Sequence, residues 1–347
     1  MGAAFSEQGR HLMVWNKLEL QIVDMEANLE RLELAGHRRG IPALRFAEGG
    51  DILISSGKNG FVRRWDTHTG KLLSENALGS QVQCVVLDPQ EKWMVTAKWG
   101  KDAKLSVWSY PEANHVRDIP NELGSICGLA LSPSGKLLAA TGDHGLSLWK
   151  TTTTDTDLKL EHLFSQPDRK APREEMNGKF LTFDPNEERI FHATRWWNLH
   201  WLELSNFESH AFADGRSLLM GFNSMAFTKQ RDLAFINPDG GLEAWAFSSD
   251  AKPRRIMKLP DKTFAVSSVT ISKQGLLAGL TEASTVSIWD LDKKKELYKF
   301  KPEPNTVWAL AWSPDGNRLA VGLSDGGLAI WDLKEVRKQL LDVGFKE

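Results

Sequence analysis

Residues 305–334 read NTVWALAWSPDGNRLAVGLSDGGLAIWDLK, and the fold follows from this stretch. Residues 307–312 form an apolar run suited to a buried strand. Ser313-Pro314-Asp315-Gly316 then supplies turn chemistry, proline fixing φ and glycine accepting a positive φ. Two further apolar runs, 318–323 and 328–331, are separated by Ser324-Asp325-Gly326-Gly327 and close on Trp331-Asp332. Three short strands joined by tight turns predict an antiparallel meander. One meander leaves a face uncovered, so it requires neighbours of its own kind.

Those neighbours occupy the rest of the chain. The apolar residue ending the first strand recurs as Phe5, Phe46, Leu87, Leu131, Phe183, Phe227, Ile271 and Trp312. The turn after it reads SEQG (6–9), AEGG (47–50), DPQE (88–91), SPSG (132–135), DPNE (184–187), TKQR (228–231), SKQG (272–275) and SPDG (313–316). The third strand ends at Val23-Asp24, Trp65-Asp66, Trp108, Trp149, Leu202-Glu203, Trp245, Trp289-Asp290 and Trp331-Asp332. These endings lie 41 to 44 residues apart, apart from one interval of 53. A period of about forty that closes on Trp-Asp marks a four-stranded propeller blade. The chain resembles the WD-repeat (β-transducin-like) family over nearly all of its length, as a bacterial-type member with degenerate repeats.

The resemblance implies an all-β fold, a single β-propeller. Eight sets of first-to-third strands favour eight blades, near 1–37, 38–80, 81–122, 123–165, 177–215, 220–262, 264–302 and 304–333. Seven blades with an extra partial unit is the alternative. In the favoured reading, residues 31–34 complete the first blade, and the chain enters the fold without an outer strand to clasp the ring. Residues 334–347 lack strand alternation; Val336, Leu340 and Val343 share a helical face and Gly344 is a stop, so a short helix and tail are expected there. Residues 165–178 are charged and proline-bearing, which predicts an exposed inserted loop.

Composition narrows the function classes. A net charge of −2 gives no global reason to expect nucleic acid or an anionic membrane. Two cysteines, Cys84 and Cys127, fall on successive first strands and read as buried thiols of a cytoplasmic protein. No apolar run approaches the length of a membrane span. Met1-Gly2-Ala3-Ala4-Phe5-Ser6 fits an acylation pattern, but those residues form a predicted core strand, so a structural role is preferred. No metalloprotease, nucleophile-elbow, P-loop or dinucleotide motif is present, so no catalytic residue, cofactor or metal is assigned. His192 and His200 fall on different strands, away from any carboxylate pair at ligand spacing.

Other residues are read through the family pattern. Ala35-Gly36-His37 matches the Gly-His that precedes a blade, and His37 with Ser55 or Ser56, Asn59 and Trp65 resembles the buried tetrad of a regular repeat. Asn59 replaces the usual aspartate. Trp65, Trp108, Trp149, Trp245, Trp289 and Trp331, six of fourteen tryptophans, end third strands, where a flat ring packs between blades. Asp102, Asp143, Asp239 and Asp325 each stand six residues before such a tryptophan and are expected to cap turns.

The candidate functional residues are aromatic groups in turns on one face: Trp99, Trp196 and Trp197 beside Arg195, and Trp308 at the channel mouth. Trp15 and Trp308 adjoin strand cores, which favours local packing for them. The residues aligned with Trp308 are Pro42, Gln83, Cys127, Lys179, Asn223 and Ser267, a ring without carboxylate or histidine, which argues against a catalytic channel. Large rigid rings and arginine dominate protein interfaces. The expected role is therefore a non-enzymatic scaffold for a protein or peptide. The alternatives are the sensor part of a larger kinase-like polypeptide and, less favoured, a propeller enzyme.

Overall fold

The structure, a computed structural model, describes residues 2–5, 11–15, 20–24, 32–34, 37, 40–79, 81–100, 103–120, 122–154, 157–167, 181–193, 199–211, 225–228, 232–236, 241–247, 254–259, 266–280, 285–300 and 307–336. The first strands are β1 (Gly2–Phe5), β2 (His11–Trp15), β3 (Leu20–Asp24) and β4 (Leu32–Leu34). The next eight are β5 (Ala43–Ala47), β6 (Ile52–Ser56), β7 (Phe61–Asp66), β8 (Leu72–Ala77), β9 (Val82–Leu87), β10 (Trp93–Lys98), β11 (Leu105–Ser109) and β12 (His115–Ile119). Then come β13 (Ile126–Leu131), β14 (Leu137–Gly142), β15 (Gly145–Thr153), β16 (Leu158–Pro167), β17 (Leu181–Phe183), β18 (Arg189–Ala193), β19 (Leu199–Glu203) and β20 (Ser209–Ala211). The remainder are β21 (Met225–Phe227), β22 (Leu233–Ile236), β23 (Leu242–Ala246), β24 (Arg254–Lys258), β25 (Val266–Ile271), β26 (Leu276–Leu280), β27 (Val286–Asp290), β28 (Lys295–Phe300), β29 (Val307–Trp312), β30 (Arg318–Leu323) and β31 (Leu328–Asp332).

From β5 to β28, each run of four consecutive strands makes one antiparallel sheet, six sheets in all. The first residue of the turn between the first two strands holds that turn by side chain. Asp88 Oδ1 accepts the backbone N–H groups of Lys92 and Trp93, and Asp184 Oδ1 those of Glu188 and Arg189. Ser313 Oγ accepts the N–H of Arg318 in the same way. Glu91 and Glu187 take the left-handed position that Gly135 and Gly316 fill in sister turns, with φ of 55° and 59°. Each reaches the preceding sheet: Glu91 accepts the Glu48 N–H at 2.9 Å, and Glu187 accepts the Ser134 hydroxyl at 2.7 Å.

Buried apolar clusters straddle neighbouring sheets, as a propeller requires. Ile54, Val62 and Leu78 meet Val82, Met94 and Trp108. Val95, Leu105 and Val107 meet Ile126, Leu138 and Trp149. Ala139 and Leu148 meet Ile190 and Leu202, while Phe191 and Leu199 meet Leu233. Ala244 meets Leu277, and Ile288 meets Val321 and Trp331. Ile41, Phe46, Leu53 and Trp65 then meet Ala320, Leu328 and Ile330, which joins the last sheet to the sheet of β5–β8. Trp65, Trp108, Trp149 and Trp331 are buried, while Trp245 and Trp289 are half-buried. Each fully buried indole contributes at most about 4–6 kcal/mol of transfer free energy.

The preference for eight blades is corrected at this closure. Strand β4, expected to finish the first meander, pairs antiparallel with β31 instead, Leu34 opposite Leu328 and Leu32 opposite Ile330. It supplies the fourth strand of the last sheet and is the clasp expected to be missing. The first meander keeps three strands, β1–β2–β3, so the described residues form seven four-stranded sheets and one of three strands. The reason is geometric: β29–β31 pack directly against β5–β6, leaving no place for another sheet between them. The helix expected after the last blade starts at 333, with Asp332 Oδ1 accepting the N–H of Lys334 and of Glu335. Leu333 and Val336 are buried against the last sheets; residues 337–347, including Leu340 and Val343, lie outside the described residues. Residues 165–167 extend β16 rather than opening the inserted loop, and 168–178 lie outside the described residues. Among the described residues, no helix is long and apolar enough to cross a membrane.

Candidate partner-binding face

One sheet carries a complete buried polar relay. The Trp65 indole N–H donates to Ser55 Oγ at 2.9 Å, and the Ser55 hydroxyl donates to His37 Nε2 at 2.8 Å. His37 Nδ1–H donates to Asn59 Oδ1 at 3.0 Å, an assignment that follows because a carboxamide oxygen only accepts. A Cβ on Gly57 would stand 2.2 Å from both Asn59 Oδ1 and His37 Nδ1, so glycine is required there. Burial pushes the His37 pKa down to about 4, which keeps the ring neutral. The choice between the two serines follows from strand alternation. Both are fully buried, but Ser55 faces the relay while Ser56 Oγ has no partner among the described residues. The next sheet keeps only the first link, Trp108 Nε1–H donating to Thr96 Oγ1 at 2.8 Å. Asp325 caps its turn by accepting the Gly327 N–H. Asp143 accepts the Ser125 N–H and so ties its turn to the start of the adjacent first strand. Asp102 and Asp239 lie outside the described residues.

Above the relay, the turns between second and third strands share an end of the ring with the starts of the first strands. Three of the residues aligned with Trp308 sit, as it does, at irregularities of the first-strand ladder. Ladder pairing skips Gln83 in β9, Cys127 in β13, Ser267 together with Ser268 in β25, and Trp308 in β29. A bulge re-aims its residue away from the regular alternation. Gln83 and Cys127 are buried there and Trp308 is half-buried. The Trp308 ring lies against Gly40, where a Cβ would stand 2.3 Å from its edge. Lys58 Nζ sits 4.2 Å above the centre of the same ring, an attractive placement of a cation on an indole face. Burial lowers the Lys58 pKa.

Trp99 follows β10 and is half-buried, its backbone N–H donating to the Gln81 carbonyl at 3.1 Å. The structure thus places Trp308, Lys58 and Trp99 at one end of three successive sheets. Sequence reasoning missed Lys58; its signal was only its place in the Gly57–Gly60 turn. Arg195, Trp196 and Trp197 lie outside the described residues, as do Lys179 and Asn223. Trp15 closes β2, outside the ring of four-stranded sheets. His192 and His200 are cross-strand neighbours with ring centres 5.7 Å apart. Burial and the nearby His200 push the His192 pKa down to about 3.

The family model described as "WD domain, G-beta repeat" matches residues 29–66, 115–150 and 294–332. These three windows are WD repeats. Each matched window in this WD-repeat protein begins at an outer strand and ends in the third strand of the following sheet. The sequence repeat is therefore staggered against the sheets. That stagger is why β4, the outer strand of the first matched window, belongs to the sheet of β29–β31. Similar proteins include "Cell division cycle 20.4, cofactor of APC complex" of Arabidopsis thaliana, 28% identical over 37% of this chain and 32% of the relative. The "WD repeat-containing protein slp1" of Schizosaccharomyces pombe is 25% identical over 39% of this chain and 29% of its own length. "Protein LST8 homolog" of Drosophila melanogaster is 26% identical over 44% of this chain and 49% of its own length. The chain spans less than half the length of these relatives.

Proposed function

We propose that this WD-repeat protein is a non-enzymatic scaffold that binds a protein or peptide on the end of the ring carrying Trp99, Lys58 and Trp308. Arg195, Trp196 and Trp197 belong to the same proposed surface through the sequence alignment. The observation that carries the reading is the half-buried state of Trp99 and Trp308 at one end of three successive sheets, with Lys58 over one ring. Partly exposed indoles on a rigid support lose little entropy when covered and bury further apolar area. The relative named a cofactor of the APC complex works with an assembly, which supports binding as the role. The skipped first-strand residues Gln83, Cys127, Ser267 and Trp308 bring no carboxylate or histidine to the channel mouth, which supports binding over catalysis. A cytoplasmic location and a protein partner, rather than nucleic acid or membrane, complete the proposal.

The test is affinity purification from the native source, comparing parent, Trp99→Ala and the double variant Trp196→Ala/Trp197→Ala, each with parental circular dichroism. Loss of the same partner from the Trp99 variant, by about tenfold or more for a central aromatic anchor, supports the face. Unchanged recovery of every partner by both variants removes it.

A further inference from the structure

The two cysteines of this chain come from different sheets and meet at one seam. Cys84 lies on β9 and Cys127 on β13, the first strands of neighbouring sheets. Cys84 Sγ sits 3.5 Å from the carbonyl oxygen of Cys127. Cys84 is half-buried and packs against the apolar cluster that Ile126 joins from β13, while Cys127 is 2% exposed. The bulge in β13 removes Cys127 from the ladder, because Ile126 pairs with Gly142 and Gly128 with Thr141. Its sulfur rests 3.7 Å from the Ser125 carbonyl, and no disulfide joins the two cysteines. A disulfide needs Cβ atoms about 4 Å apart, and the Cys84 sulfur already lies against the backbone of Cys127.

We propose that Cys84 and Cys127 are an oxidisable thiol pair that closes into a disulfide between the second and third four-stranded sheets. A hydroperoxide is the oxidant. The more exposed Cys84 thiolate attacks one peroxide oxygen; the S–O bond forms, the O–O bond breaks, and water leaves when the peroxide is hydrogen peroxide. The Cys127 thiolate then attacks the Cys84 sulfenic sulfur; the S–S bond forms, the S–O bond breaks, and a second water leaves. The protons of both thiols end in the two waters, and the peroxide takes up the two electrons that the thiols lose. The crosslink bears on the face above it, since Cys84 pairs with Ala97 two residues before Trp99. The thiol pair stands whether or not that face binds a partner.

The experiment treats the full chain with hydrogen peroxide, blocks remaining thiols and maps peptides without reduction. The expected result is an intramolecular Cys84–Cys127 peptide, an intact mass lower by two hydrogens, and reversal of both by dithiothreitol. Cys84→Ser and Cys127→Ser each abolish the crosslinked peptide, while the parent result stands even if one variant folds poorly. Separate oxygen adducts on the two cysteines, an intermolecular dimer through Cys84, or two thiols still open to alkylation would each overturn the proposal.

Discussion

Replacing Ser55 by alanine removes the middle of the relay that ties Trp65 to His37. Two hydrogen bonds vanish, and two polar atoms lose their partner where water does not reach: Trp65 is 1% exposed and His37 3%. Each buried group left unpaired costs about 1–3 kcal/mol. The indole N–H has no rotational freedom to seek another acceptor, so Ser55→Ala is expected to cost about 2–4 kcal/mol in total. The neighbouring Ser56 is an internal control, equally buried but with no partner among the described residues. Removing a hydroxyl that already pays desolvation leaves stability unchanged or raises it by about 1 kcal/mol, so Ser56→Ala is expected to be neutral or stabilising. Guanidinium denaturation followed by circular dichroism, with the slopes compared to exclude a change in cooperativity, measures both. Equal effects for the two variants, or a Ser55→Ala cost below about 0.5 kcal/mol, would refute the reasoning.

The depressed pKa of His37 has a definite sign. Its folded value of about 4 lies below the unfolded 6.5, so the unfolded chain binds the extra proton first. The contribution of His37 to stability is full above pH 6.5 and falls as pH drops toward 4, by about 3 kcal/mol across that window. His192 acts in the same direction, so the assignment rests on NMR: a His37 ring resonance that titrates near pH 6.5 in the folded protein contradicts the burial argument. Gly142→Ala would set a Cβ 2.5 Å from the Leu123 carbonyl oxygen and 2.8 Å from that of Ser125. Backbone cannot step aside, so a loss of about 3 kcal/mol or more is expected. Gly49→Ala, at φ 67° with open space around it, is expected to lose only about 1–2 kcal/mol; denaturation midpoints that reverse this order sink the comparison.

Much of the fold is legible in the residues because hairpins are local. A turn such as 313–316 and its flanking runs contain all the groups that pair across it, so the sequence alone determined strands, turns, repeat spacing and the indoles that pack between sheets. The relay was legible only through the family resemblance, whose pattern gives the positions of His37, the two candidate serines, Asn59 and Trp65. Two things needed the third dimension. Whether Ser55 or Ser56 joins the relay depends on which face of β6 turns toward His37, and a one-residue difference reverses that face. Whether Leu32–Leu34 completes the first meander or the last depends on which edge ring closure brings beside it. A strand carries the same backbone donors and acceptors toward either edge, so nothing local distinguishes β3 from β31. Packing of β29–β31 directly onto β5–β6 makes that choice, and with it sets how many sheets stand in the ring.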